Sequence, residues 1–167
     1  MRWVVRWRNR HLTVLFKLFT YSGKGKAWFA TAVALVLLQA LKIPVMPDQA
    51  RFLRSMLYPL IAWGLGSTIK KLVARERPSE VIPNYSAIIE RPACRSFPST
   101  HAASSVAFFV ALAVTHHPLA WIIGVWALFV NLSRFYLGVH FPTDLLGGGI
   151  LGCLCGLLPA AIRDVFK

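Results

Sequence analysis

Acidic residues are scarce in this chain: six Asp and Glu stand against 19 Lys and Arg in 167 residues, a formal net charge of +13. Charged residues of either sign make up only 15%, against about 25% in soluble domains. Hydrophobic residues make up 56%, and the mean hydropathy is +0.56. So little charge on so apolar a chain excludes an ordinary soluble domain, and it excludes disorder. Cysteine is also sparse and odd in number, at Cys94, Cys153 and Cys155. The last two stand at i and i+2 of an apolar helical run, where they face different sides and do not bridge. No disulfide framework follows, and cysteine usage does not encode a redox compartment. There is no internal repeat and no low-complexity segment, and the length suits one domain over residues 1–167. No small-residue cleavage site follows the N-terminal stretch, so a cleaved signal peptide is not expected.

What is present is apolar length. Residues 27–45, 52–69, 101–132 and 143–162 form four apolar stretches, and about 20 residues cross a bilayer. The third is broken at His116-His117-Pro118, which reads as a tight turn between two spans, about 101–116 and 119–137. Arg54 and Pro59 interrupt the second and suggest a kink or tilt. The expected fold is all-α, a polytopic membrane helical bundle of about five transmembrane helices, with residues 27–163 as its core. Over the first 22 residues Trp3, Trp7, Val14, Leu15 and Leu18 recur at helical spacing, with Arg2, Arg6, Arg10 and Lys17 on another face. That pattern predicts an amphipathic helix lying in the membrane interface, with a cytosolic cap helix as the plainer alternative. The one long polar stretch is 70–100, and a loop of that length in so small a membrane chain usually carries function.

The excess of positive charge asks for an anionic partner, either membrane lipids or a phosphorylated substrate. Nucleic acid is set aside, because so apolar a chain offers little soluble surface for a basic groove. Three clusters could serve such an anion. His140 precedes Asp144 by four residues, with Pro142 between them suited to a helix's first turn. A carboxylate accepting from one ring nitrogen leaves the other as a nucleophile or base. In Pro98-Ser99-Thr100-His101, Ser99 or Thr100 can cap a helix whose free N–H groups favour an anion, with His101 in its first turn. Lys70 and Arg77 are seven residues apart, so one helix face could aim both at one point. With alternating spans, all three clusters fall on the same membrane face. Each has a plainer reading alone: a topology signal or snorkelling anchor for Lys70, Lys71, Arg75 and Arg77, a capping residue for His101, and structure for the His140–Asp144 pair. Their convergence outweighs those readings. His101, His140 and Asp144 could also ligate a metal in number, but Lys70, Arg77 and Arg134 nearby make a poor cation site and a good phosphate site. No metal and no cofactor are expected.

Lys70-x6-Arg77-Pro78, Pro98-Ser99-Thr100-His101 and Ser133-Arg134-x5-His140-x3-Asp144 resemble the three signature motifs of the type 2 phosphatidic acid phosphatase superfamily. They cover residues 70–144, in order and on one face. Thr100 departs from the pattern, standing where the family usually has Gly, and its side chain could narrow the pocket. The chain is also short for the membrane branch. The resemblance implies a metal-independent hydrolase of a lipid phosphomonoester or pyrophosphate. It further implies that His140 attacks phosphorus to form a phosphohistidine, that Asp144 orients it, and that His101 serves the leaving oxygen and then the water. Lys70, Arg77, Ser99, Thr100 and Arg134 would hold the phosphoryl oxygens.

The implied substrates are undecaprenyl pyrophosphate, phosphatidylglycerophosphate, phosphatidic acid or lipid A phosphate, and the implied location is a bacterial inner membrane. Three alternatives stand beside this. One is a lipid phosphotransferase using the same intermediate. Another is the haloperoxidase branch, which the apolar composition opposes. The third is a non-catalytic protein that binds anionic lipid. Lys and Arg number 14 on the active side and five on the other, so the positive-inside rule points the site to the cytoplasm. Family members acting on lipid carriers mostly face outward, which leaves the face open. No pattern specifies an oligomeric state.

Overall fold

A computed structural model of the chain describes residues 5–46, 48–89 and 94–165. Trp3 and Arg2, part of the expected N-terminal pattern, lie outside the described residues. The described residues form nine helices and no strand: α1 (Arg10–Ser22), α2 (Gly25–Ala40), α3 (Gln49–Ser55), α4 (Leu57–Val73), α5 (Pro78–Val81), α6 (Thr100–Val114), α7 (Ala120–Tyr136), α8 (Pro142–Gly156) and α9 (Leu158–Val165).

The all-α expectation holds, and the apolar runs become α2, α3 with α4, α6, α7 and α8. One helical stretch, Pro142–Ile162, is long and apolar enough to cross a membrane by length and composition, whereas Ala27–Ala40, Thr100–Val114 and Ala120–Tyr136 are apolar but shorter. The second run is interrupted, as expected of a stretch holding Arg54 and Pro59. It breaks at Met56, and Pro59 sits in the first turn of α4, where its missing N–H is one of those a helix leaves unpaired anyway. Pro159 separates α8 from α9 in the same way.

The centre is α6, which packs most extensively on α8 and then on α4 and α7. Small residues permit this closeness. Gly148 and Gly152 of α8 face Ala102, Ala103 and Val106 of α6 so tightly that an added Cβ would lie 2.4 Å from Ser99 O and 2.5 Å from Ala103 O. Large apolar residues instead face outward, among them Phe29, Leu72, Trp121, Leu146 and Ile150.

α1 forms over Arg10–Ser22, capped by the Asn9 side chain accepting from Leu12 N. It packs against α7, with Thr13 and Asn9 meeting the Tyr136 hydroxyl and Ser22 accepting from Trp126 Nε1. Trp7, Val14, Leu15 and Leu18 are exposed.

Candidate active site

One end of the bundle gathers the three clusters. Ser99 caps α6, its Oγ accepting from Ala102 N at 3.4 Å, and its own N–H donates to Asp144 O at 2.9 Å. That backbone bond joins the start of α6 to the start of α8. Pro142 opens α8, and Asp144 in its first turn reaches back to accept from Phe141 N at 2.8 Å. His140 lies in the short loop before it, buried at 2% exposure, with Nδ1 3.5 Å from Asp144 Oδ2 and no hydrogen bond formed. The pair expected from the spacing is therefore adjacent but not hydrogen-bonded.

The basic residues converge differently from expectation. Lys70 is in the last turn of α4, but that helix ends at Val73, with Ala74 in a left-handed conformation. Arg77 stands beyond the turn as the N-cap of α5, so the two do not share one helix face. They meet instead at one carbonyl: Lys70 Nζ donates to Arg95 O at 2.8 Å and Arg77 Nη2 at 3.3 Å. Lys70 also donates to Ser96 O, and Arg77 to Cys94 O and to Val139 O at 2.6 Å, beside His140. Arg134, in the last turn of α7, donates through Nη1 to Thr20 Oγ1 of α1 at 3.0 Å. Lys70, Arg77 and Arg134 are all buried, at 4%, 2% and 2% exposure. Among the described residues Asp144 is the buried carboxylate facing them.

His101 sits in the first turn of α6, with Nε2 buried and unpaired, as are Arg134 Nε and His140 Nδ1. Its Cδ2 lies 3.2 Å from where a Cβ on Gly23 would be, so the end of α1 closes over it with room for glycine. The Thr100 methyl turns toward α4, where Cγ2 would lie 3.2 Å from a Cβ on Gly66. Burial pushes the His140 imidazole well below its ordinary pKa. Asp144 pulls it up, while Arg134, Arg77 and Lys70 push it further down, leaving the ring neutral at pH 7.

Ser96, Thr20 and Gly23 escaped the sequence reading, and Arg75, placed there in the basic cluster, had no role assigned at Asp144. Ser96 donates to Asp144 Oδ2, and Arg75 donates to Asp144 Oδ1 at 3.0 Å and to Thr143 Oγ1 at 2.7 Å, its guanidinium over the Phe141 ring. Ser96 had one signal, a hydroxyl just ahead of Pro98-Ser99. Thr20 and Gly23 had none, since nothing in α1 announces that it packs on α7. His11, near the start of α1, and His116 and His117, in the turn between α6 and α7, lie apart from the cluster. His117 is buried and its Nδ1 accepts from Leu119 N at 3.2 Å.

An apolar cavity of about 510 Å³ runs between α2, α4 and α6, lined by residues including Trp28, Ala32, Leu53, Leu60 and Trp63. His101 and Thr100 stand among its lining residues and connect it to the polar cluster.

A family model described as the PAP2 superfamily matches residues 51–165. The chain is 33% identical over 106 residues to an undecaprenyl-diphosphatase of Sulfolobus acidocaldarius, 63% of this chain and 52% of that protein. It is 36% identical over 119 residues to phosphatidylglycerophosphatase B of Bacillus subtilis, 65% of this chain and 58% of that protein. The chain thus spans about half the length of these relatives. A crystal structure of a transmembrane PAP2-type phosphatidylglycerolphosphate phosphatase from Bacillus subtilis superposes with a TM-score of 0.77 at 26% identity, covering 99% of this chain and 83% of that one. Aquifex aeolicus LpxE shares the fold, with a TM-score of 0.73 at 22% identity over 96% of this chain and 92% of that one. With the family model covering most of its length and the described helices matching a solved relative throughout, the chain belongs to the PAP2 superfamily.

Proposed function

We propose that this protein is a metal-independent membrane lipid phosphatase working through a phosphohistidine at His140. The observation that carries the reading is the charge balance of the site: Lys70, Arg77 and Arg134 are buried around Asp144, the single buried carboxylate among the described residues. Buried cations in excess are costly unless an anion offsets them. His101 Nε2 and Arg134 Nε, buried without partners, supply further donors of the kind a phosphoryl group uses.

In this mechanism neutral His140, with Nδ1 toward Asp144, presents Nε2 to phosphorus. The N–P bond forms as the bond from phosphorus to the leaving oxygen breaks, and His101 gives that oxygen a proton. Asp144 stabilises the imidazolium character that develops. Water then gives a proton to His101 and attacks phosphorus, releasing phosphate and restoring His140. Lys70, Arg77, Arg134, Ser99 and the N–H groups at the start of α6 offset the charge on the equatorial oxygens.

The apolar cavity ending at His101 favours a substrate whose tail lies in the bilayer while its head group reaches the cluster. Undecaprenyl pyrophosphate, phosphatidylglycerophosphate, phosphatidic acid and lipid A phosphate all have that form, and the names of the relatives point to the same class. The same reading has five spans, α2, α3 with α4, α6, α7 and α8, tilted or locally thinning the bilayer where they are short, with α1 at the interface.

The test is inorganic phosphate release from a panel of lipid mono- and diphosphates by the detergent-solubilised protein in excess chelator. Release that survives chelator and vanishes in folded His140→Ala supports the reading. Undiminished release by that variant refutes it.

A further inference from the structure

Asp144 Oδ2 has three donors around it and capacity for two. The Ser96 hydroxyl donates to it, Phe141 N donates to it at 2.8 Å, and His140 Nδ1 waits at 3.5 Å without a hydrogen bond. A carboxylate oxygen offers two in-plane lone pairs, and Ser96 and Phe141 occupy both. Oδ1 is engaged separately by Arg75 at 3.0 Å. Of the two groups ahead of His140, the Phe141 N–H belongs to backbone fixed by the start of α8. The Ser96 hydroxyl turns about a single bond.

Ser96 is itself held firmly. It is wholly buried at 0% exposure, its N–H donates to Arg75 O at 2.9 Å, and its carbonyl accepts from Lys70 Nζ at 3.1 Å. Its backbone thus joins the segments bearing Lys70 and Arg75, and its side chain reaches across to α8.

We propose that Ser96 is a positioning residue that sets how strongly Asp144 couples to His140. While the hydroxyl holds Oδ2, the carboxylate orients the imidazole from a distance. When the hydroxyl is gone or turned away, the His140 Nδ1–H takes the released lone pair, and the ring becomes more basic. The proposal rests on the reading of His140 as nucleophile. The charged and titratable groups acting on His140 are Lys70 from α4, Arg77 from the segment before α5, His101 from α6, Arg134 from α7 and Asp144 from α8, with Arg75 acting through Asp144. Of these, Asp144 is the group that raises the basicity of His140, and Ser96 holds the carboxylate oxygen that His140 Nδ1 faces.

The test is the pH dependence of kcat/KM for phosphate release, in chelator, for wild type, Ser96→Ala and Ser96→Thr. Its acid limb reports the nucleophile in the free enzyme, and any contribution from substrate ionisation is common to all three. In Ser96→Ala the limb moves up by about one pH unit, a tenfold change in the ionisation constant. In Ser96→Thr, which keeps the hydroxyl, it stays in place. A folded Ser96→Ala enzyme with a lower kcat and an unmoved limb overturns the proposal, since a hydroxyl that only packs predicts that result. Should Ser96→Ala fail to fold, Ser96→Cys replaces it: its weaker donor shifts the limb upward by a smaller amount, and an unmoved limb again overturns the proposal. Failure of the nucleophile reading shows separately, as activity in His140→Ala.

Discussion

Gly148→Ala tests whether the site depends on how closely two helices approach. A Cβ at Gly148 would lie 2.4 Å from Ser99 O, 2.8 Å from Ala102 Cβ and 3.3 Å from Ala103 N. Ordinary contact begins at 3.4 Å, so the methyl is about 1 Å too close to a backbone oxygen that no rotamer can move. Relief requires α8 to shift away from α6. Asp144 lies one turn before Gly148 on α8, and His101 two residues after Ser99 on α6, so the shift separates the His140–Asp144 pair from its acid. A displacement of about 1 Å costs on the order of 10²-fold in rate. Overpacking costs about 1–3 kcal/mol in stability, offset by up to about 1 kcal/mol for removing a helical glycine. The assay is kcat for phosphate release together with thermal unfolding in detergent. Gly149→Ala is the control, because its Cβ would meet nothing within 4 Å. It should keep its activity and unfold no lower than wild type. Gly148→Ala with at least half the wild-type rate and an unchanged unfolding temperature would refute the reasoning.

Thr20→Val removes the hydroxyl that meets Ser133 at 2.9 Å and accepts from Arg134 at 3.0 Å. KM should rise several-fold more than kcat falls, with a stability loss of about 1–2 kcal/mol, as steady-state kinetics and unfolding will show. Ala32→Trp fills the apolar cavity, so KM for a long-tailed lipid phosphate should rise at least about tenfold while turnover of a short water-soluble phosphomonoester is unchanged. Equal loss on both substrates would place the tail elsewhere. Burial, aided by the nearby cations, holds His140 below the ordinary histidine pKa. The group is therefore deprotonated and competent above its lowered pKa, and kcat/KM should stay level as pH falls through about 6.5. A decline centred there would show a solvated, ordinary imidazole instead.

How much of this was legible beforehand depended on whether the signal was local. Apolar runs of near-span length and proline or capping residues at their ends marked α2, α4, α6, α7 and α8, because helix geometry and burial repeat over a few residues. The His140–Asp144 spacing and Ser99 as a cap were legible for the same reason. Lys70 and Arg77 were placed together correctly but by the wrong route, since the left-handed turn at Ala74 carries no strong sequence mark for an alanine. What was hidden lies across tertiary contacts. Thr20 reaches Arg134 over a sequence separation of 114, and Ser96 reaches Asp144 over 48. The direction of the Thr100 methyl is set beside Gly66, a residue in another helix.

The central claim is a covalent bond between His140 and phosphorus, and it can be trapped directly. Wild-type protein is mixed with excess lipid phosphate, quenched in alkali within the first turnovers to preserve an acid-labile N–P bond, digested and mapped by mass spectrometry. The account requires phosphate on the peptide carrying His140, at a level that rises within one turnover and is absent in His140→Ala. Phosphate released at the full rate with His140 unmodified at every quench time would contradict it.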